Sequence, residues 1–494
     1  NRFLGLPIFL FVMYLMFLLA INIGGALQPL FDVGSVALFV HGIQWIGYTL
    51  HFPDWLTIFL AQGLGGGINT VLPLVPQIGM MYLFLSFLED SGYMARAAFV
   101  MDRLMQALGL PGKSFVPLIV GFGCNVPSVM GARTLDAPRE RLMTIMMAPF
   151  MSCGARLAIF AVFAAAFFGQ NGALAVFSLY MLGIVMAVLT GLMLKYTIMR
   201  GEATPFVMEL PVYHVPHVKS LIIQTWQRLK GFVLRAGKVI IIVSIFLSAF
   251  NSFSLSGKIV DNINDSALAS VSRVITPVFK PIGVHEDNWQ ATVGLFTGAM
   301  AKEVVVGTLN TLYTAENIQD EEFNPAEFNL GEELFSAIDE TWQSLKDTFS
   351  LSVLMNPIEA SKGDGEMGTG AMGVMDQKFG SAAAAYSYLI FVLLYVPCIS
   401  VMGAIARESS RGWMGFSILW GLNIAYSLAT LFYQVASYSQ HPTYSLVCIL
   451  AVILFNIVVI GLLRRARSRV DIELLATRKS VSSCCAASTT GDCH

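Results

Sequence analysis

Five stretches of this chain, residues 3–31, 33–52, 55–88, 157–194 and 412–463, contain no Asp, Glu, Lys or Arg. Nothing else in the sequence constrains the fold as strongly. The hydrocarbon core of a bilayer takes about 20 apolar residues per helix, so the longest stretches hold more than one crossing. Residues that are 55% hydrophobic and only 13% charged fit no ordinary soluble domain, which carries about 25% charge. The expectation is an all-α, polytopic integral membrane protein with roughly ten spans or re-entrant pieces. The first apolar run is too long for a signal peptide and lacks a cleavage site; with no initiator Met, the chain reads as the membrane part of a longer protein.

Charge is segregated along the chain. Residues 195–238 carry seven Lys or Arg against Glu202 and Glu209, and 464–479 are basic as well. Between 311 and 380, fourteen acidic residues face Lys346, Lys362 and Lys378. Positive charge at span ends stays on the cytoplasmic side, so the connector and the C-terminus are expected inside and the acidic segment outside. This gives six regions: opening helices over 1–60, a first gate repeat over 61–170, and a helix with basic connector over 171–235. A second gate repeat over 236–412 carries the acidic insert 314–378. Closing helices over 413–463 and a basic, cysteine-containing tail over 464–494 follow. Within this frame, 3–26 and 36–50 read as helices joined near Gln28, Pro29 and Asp32, and 114–130 reads as a span. Gly63 to Gly67, with Pro73 and Pro76, reads as helix-breaking punctuation. An amphipathic helix is expected over 335–354, with Trp342, Leu345 and Phe349 on one face.

The repeat rests on two short matches. Gly92-Tyr-Met94-Ala-Arg96 returns as Gly298-Ala-Met300-Ala-Lys302. Cys124 and Cys398 each precede Ser-Val-Met-Gly-Ala and stand nine residues before Arg133 and Arg407. Duplicated halves with Gly- or Pro-broken helices point to a transporter's binding site, because broken helices offer backbone ends to a solute. The competing explanation is that Gly131, Ala132, Gly403 and Ala404 only let helices pack closely.

Cys124, followed by Asn125, and Cys398, beside Pro397, are the candidate ligands. Thiols suit borderline metals such as iron, zinc and copper rather than calcium or magnesium. Met94 and Met300 could assist as thioethers, and Ser128 and Ser400 lie in the matched blocks. Charges inside apolar segments default to function, which singles out Glu303, Lys302 and Arg156, with Glu89 and Asp90 flanking the first block. For Glu303 and Arg156 a purely structural ion pair or anchor is the alternative. Ala107 to Ser114 loosely fits a phosphate loop, but no strand precedes it. The tail cysteines Cys484, Cys485 and Cys493, with His494, do not have zinc spacing and read as a flexible reactive tail.

Gly121-Phe-Gly-Cys-Asn-Val-Pro, Ser91-Gly-Tyr-Met-Ala-Arg, Ala301-Lys-Glu-Val-Val-Val-Gly-Thr-Leu and Tyr395-Val-Pro-Cys resemble the gate motifs of the FeoB family of bacterial ferrous-iron transporters. The resemblance covers nearly the whole chain. It implies Fe2+ uptake across a bacterial inner membrane, with Cys124 and Cys398 lining the path and Glu303 with Glu89 or Asp90 attracting the cation. It also implies a small soluble partner, FeoA, and GTP with Mg2+ bound by an N-terminal domain outside this sequence. The chain itself is therefore not expected to be an enzyme. No nucleic-acid partner is expected; a lipid bilayer is, and self-association is compatible with this reading. Two rivals stand beside it: a transporter of another metal or of an organic solute such as a nucleoside, and a membrane thiol–disulfide enzyme.

Overall fold

The computed structural model describes residues 2–53, 56–57, 59–199, 214–238, 241–242, 244–246, 248, 266–300, 302, 304–314, 329–348 and 369–487. Among them every regular element is helical, and seven helical stretches are long and apolar enough to cross a membrane. The all-α polytopic reading holds. In a bilayer it is the expected solution, because each helix satisfies its own backbone hydrogen bonds.

The first two arms run antiparallel. Arg2–Ala26 leads through Leu27 into Gln28–Ser35, a wide π-type turn over Val36–His41, and Gly42–Thr49. The returning arm comprises Phe59–Gly65, Gly66–Val71 and Leu74–Asp90. Gly24 lies against Gln77, Ser35 bonds Asn69, and Gly47 lies against Thr57. The chain therefore continues past Gln28–Asp32 and does not reverse there. Pro29 sits in the first turn of a helix, where a missing N–H leaves no bond unmade. The glycine cluster is likewise a packing seam. Cβ atoms on Gly63 and Gly67 would come within 3.4 and 3.1 Å of Ser248 and Ser244, the close approach that small residues four apart permit between membrane helices.

Two similar helical units of opposite direction form the centre. In the first, Tyr93–Ala107 precedes Phe115–Val120 and Asn125–Gly131, two helices of six and seven residues that pack on each other. Each covers only about 10 Å at 1.5 Å per residue, too little to cross. Lys113 at one end lies 3.5 Å from Asp136 at the other, so the segment enters and leaves by one face. The expected span 114–130 is therefore a re-entrant hairpin, reversed at Gly121 to Cys124. A broken crossing follows, Pro138–Met147 and Gly154–Phe167, then the 26-residue helix Gly172–Thr197.

The second unit has the same parts. Ala267–Ile275 precedes the hairpin Trp289–Met300 and Val304–Thr314, whose ends meet where Tyr313 Oη donates to Asn288 Oδ1 at 2.7 Å. The broken crossing is Ala382–Leu394 and Ile399–Glu408, and the closing helix Arg411–Ala436 again has 26 residues. The far end of that helix touches the base of the second hairpin, with Gln434 Nε2 donating to the Pro281 carbonyl at 2.8 Å. Its near end follows Glu408, which binds Arg133 beside the first hairpin. The two hairpins therefore enter from opposite faces, the inverted relation common among transporters.

This corrects the pairing drawn from sequence. Cys124 ends a hairpin tip, and the matching tip holds Lys302; Cys398 interrupts a crossing, and the matching interruption holds Cys153. The shared Ser-Val-Met-Gly-Ala marks two neighbouring helices instead. Asn125–Gly131 and Ile399–Glu408 pack side by side, with their cysteine ends on one cavity and their far ends joined by Arg133 and Glu408. Their glycines do not serve close packing: a Cβ on Gly131 would meet nothing nearer than 3.7 Å, and one on Gly403 nothing within 4 Å.

The described insert helix Leu330–Thr348 and the described end of the last helix lie on opposite faces. Leu330–Thr348 packs on Gln28–Ser35, and His41 Nδ1 is 2.9 Å from Glu333. The helix starts five residues before the expected position, and Trp342 is exposed. Its small face, Ala337 and Thr341, is the one buried, because a close helix neighbour leaves no room for an indole. Phe349 lies outside the described residues. The last helix, Pro442–Ala487, returns to the face carrying Arg133, Arg228 and Arg407 and continues as helix where a flexible tail was expected. Cys493 and His494 lie outside the described residues. A cysteine placed at Glu332 should react with an impermeant maleimide from the side opposite to one placed at Arg411. Labelling of both from the same side of intact spheroplasts would overturn this topology.

Candidate functional site

Four helix interruptions meet in the middle of the protein. A cavity of about 90 Å3 lies among them, lined by Gly123, Cys124 and Asn125 from the first hairpin, Cys153 to Arg156 from the first broken crossing, Lys302 from the second hairpin tip, and Cys398 and Val401 from the second broken crossing. Ala20, Leu74, Gln77, Ile78 and Met81 close its side. Cys124, Cys153 and Cys398 each occupy the position before a helix, heading Asn125–Gly131, Gly154–Phe167 and Ile399–Glu408. All three are half-buried, and none is in a disulfide.

Interrupting a helix at this depth leaves carbonyls without partners, and two buried cations take them up. Arg156, fully buried, donates from Nη1 to the Pro149 and Met151 carbonyls at 3.0 and 2.9 Å. Lys302, 3% exposed, donates from Nζ to the Val392 carbonyl at 3.4 Å and stands 4.7 Å over the Tyr395 ring. A cation at a helix C-terminus is favourably placed, since the helix dipole is negative there. Asn125 Nδ2 donates to the same Met151 carbonyl at 3.3 Å, and the Gly154 N–H reaches the Gly123 carbonyl at 3.4 Å. These bonds tie the first hairpin tip to the first broken crossing. Asn125 Oδ1, Arg156 Nε and Arg156 Nη2 are buried without a hydrogen-bond partner.

The remaining sequence candidates divide sharply. Met94 packs with Met13, Met16 and Leu85 away from the cavity, and Met300 is half-buried at the end of its helix and does not line it. Ser128 is fully buried on the first hairpin, its hydroxyl without a partner. Glu89 pairs with Arg228 at 2.7 Å on the basic face, and Asp90 is half-buried at the same helix end. Neither reaches the cavity. Glu303 lies outside the described residues. Among the described residues no group of three or more His, Cys, Asp or Glu side chains is close enough to hold a metal ion. Sequence reading passed over Cys153 and Gln77. Cys153 had a usable signal, since Gly stands beside it and Pro149 four residues before it, the same punctuation that marked Cys124.

Below the cavity a vestibule of about 730 Å3 opens toward the basic face, lined by Val126, Met130, Ile399, Ser400 and the cations Arg133, Arg228, Lys238 and Arg407. Val126 and Ile399 each sit beside a cavity-lining residue. Glu408, its side chain 2% exposed, binds Arg133 through Nε at 2.6 Å and Arg141 at 2.9 Å, holding the second unit against the first. This carboxylate raises the Arg133 pKa further above its ordinary value. The Lys113 segment is no phosphate cradle: the Gly112 N–H is already bonded to Asp102 Oδ1 at 2.8 Å.

Inverted units whose broken helices surround a central cavity define a gate-type polytopic membrane domain. Residues 71–167 and 233–411 match the Gate family, described as nucleoside recognition, and 176–228 match the C terminus of ferrous iron transport protein B. The chain is 99% identical over its full length to the Fe(2+) transporter FeoB of Shigella flexneri and 94% identical to that of Salmonella typhimurium; in both cases it covers 64% of the relative. Against the Fe(2+) transporter FeoB of Legionella pneumophila it is 50% identical over 466 residues, 94% of this chain and 62% of the relative. No solved structure matches. The chain belongs to the FeoB family and spans just under two thirds of the length of these curated relatives.

Arg156 makes a sharp test of the carbonyl arrangement. Arg156→Met removes the Nη1 donor to the Pro149 and Met151 carbonyls, and should destabilise the protein by about 1–3 kcal/mol for each buried acceptor left unsatisfied. Arg156→Lys should recover part of this. Thermal unfolding in detergent, followed by size-exclusion fluorescence, measures both; an unchanged transition for Arg156→Met would refute the structural role.

Proposed function

We propose that this chain is the permeation domain for ferrous iron in an uptake system of the bacterial inner membrane. One observation carries the reading: three cysteine-headed helix breaks converge on a single cavity where two inverted units meet. Thiols bind borderline divalent metals well and hard ions poorly. Cys124 and Cys398 line the path, Cys153 joins them, Asn125 supplies a free carbonyl oxygen, and Glu303, next to Lys302 in sequence, contributes a carboxylate. Lys302 and Arg156 set the shape of the path rather than bind the ion.

Cavity size supports an ion over an organic solute. Sites for small organic molecules measure about 300–1,000 Å3, and the cavity among the cysteines measures about 90 Å3. The basic face is the cytoplasmic one, in keeping with the distribution of Arg and Lys at membrane boundaries, so the insert helix and the second hairpin's base face outward. GTP with Mg2+ acts in the remainder of the full-length protein, and a FeoA-like soluble protein joins it at the cytoplasmic face.

Uptake of Fe2+ by proteoliposomes containing the full-length protein tests this. Cys124→Ser and Cys398→Ser should each lower the rate by tenfold or more, at normal expression and an unchanged melting temperature. Cys448→Ser should transport normally, since Cys448 lies on the last helix, away from the cavity. Normal uptake by both cavity variants would remove the thiol path and leave carboxylates or backbone carbonyls to carry the ion.

A further inference from the structure

We propose that the basic vestibule is a binding site for a small multivalent oxyanion, a phosphate- or carboxylate-bearing group. Its volume of about 730 Å3 lies within the range of small-molecule sites, about 300–1,000 Å3. Four cations, Arg133, Arg228, Lys238 and Arg407, line it, and among its described lining residues there is no carboxylate. Two carboxylates approach from behind: Glu89 holds Arg228, and Glu408 holds Arg133 and Arg141. Counting Arg141, five cations face two anions, leaving three positive charges around one concavity. Arg407 is only loosely engaged, its Nε 3.9 Å from Glu408.

The helix Val218–Phe232 is built to face this space. Its Leu221, Thr225 and Leu229 are buried, and it packs against Leu74–Asp90. Ile222 and Trp226 are exposed on a second side. Gln224, Gln227, Arg228 and Gly231, spaced at three, four and seven residues, form a third side that lines the vestibule. A polar helical stripe turned inward next to a membrane is costly unless it meets a polar occupant or water. Glutamine amides and arginine forks together offer neutral and charged donors, and the planar guanidinium matches carboxylate and phosphate oxygens in pairs.

The role of such an anion in passage rests on the iron reading above. Val126 and Ile399 place the vestibule next to the cysteine-headed breaks, so a bound oxyanion offers oxygen donors to a cation leaving the thiols and offsets the positive field it must cross. Anion binding itself is measured without iron, so its failure and the failure of the iron reading are separate results.

The test uses full-length protein in nanodiscs of phosphatidylcholine, titrated by calorimetry with inorganic pyrophosphate and with citrate at constant ionic strength. Saturable binding is expected, weakened tenfold or more by Arg407→Gln and by Lys238→Gln, with the melting temperature of the anion-free protein unchanged. A second set of nanodiscs contains phosphatidylglycerol. If this lipid is retained on purification, lost in both variants, and blocks pyrophosphate binding, the oxyanion is a lipid headgroup reaching in from the bilayer. Absence of both soluble-anion binding and lipid retention would overturn the proposal, as would binding that neither variant weakens.

Discussion

The architecture depends on one constraint: inside a bilayer a backbone carbonyl without a partner costs several kcal/mol. Interrupting four helices near the centre of the protein creates many such groups, and the interruptions persist because the structure answers them. Arg156 takes the carbonyls at the end of one half-helix, and Lys302 takes one at the end of another. Each cation comes from a break of its own unit, so the two inverted units solve the same problem with different residues. The N-terminal ends of the half-helices are then left to face the cavity, each headed by a cysteine in three of the four cases.

Charge follows the same logic on a larger scale. On the basic face Arg133, Arg141 and Arg407 gather around one nearly buried carboxylate, Glu408. Such a pair is weak evidence for stability by itself, since desolvation offsets attraction. Its value here is geometric: it fixes the ends of Asn125–Gly131 and Ile399–Glu408 together, and so fixes the spacing of Cys124 and Cys398 at the other ends.

Much of this was legible in the sequence, for a physical reason. Uncharged runs long enough to span, and Gly or Pro beside Cys124 and Cys398, report local requirements, and local requirements are written locally. The helix class and two of the three cavity cysteines, Cys124 and Cys398, follow from them. The relation between the two units did not follow, because it is a matter of direction. A hairpin such as 115–131 and a crossing such as 382–408 can carry the same five residues while playing different parts. Ser-Val-Met-Gly-Ala was read as marking equivalent positions, yet it marks adjacent ones. Cys153 was passed over because nothing in a single sequence says that an interruption at 148–153 comes back beside one at 121–124. Met94 failed for the opposite reason: a thioether in an apolar helix packs well anywhere, and here it does so against Met13 and Met16.

The fixed cations of the cavity bear on which ion the proposed path would favour. A unit charge 8 Å from a divalent ion opposes it by about 4 kcal/mol at an effective dielectric constant of 20. That penalty is the same for magnesium, calcium, iron or zinc, since it depends on charge and distance alone. Donor chemistry is what differs among them. Hydroxyl, carbonyl and carboxylate oxygens would offset the penalty for hard ions as well as for borderline ones, whereas sulfur does so mainly for the borderline metals. On the proposed path, thiols at the helix ends with Arg156 and Lys302 in the same wall would therefore turn a general repulsion into discrimination. On this reading the buried cations are part of the filter without touching the ion: they set a cost that only a metal with affinity for sulfur recovers.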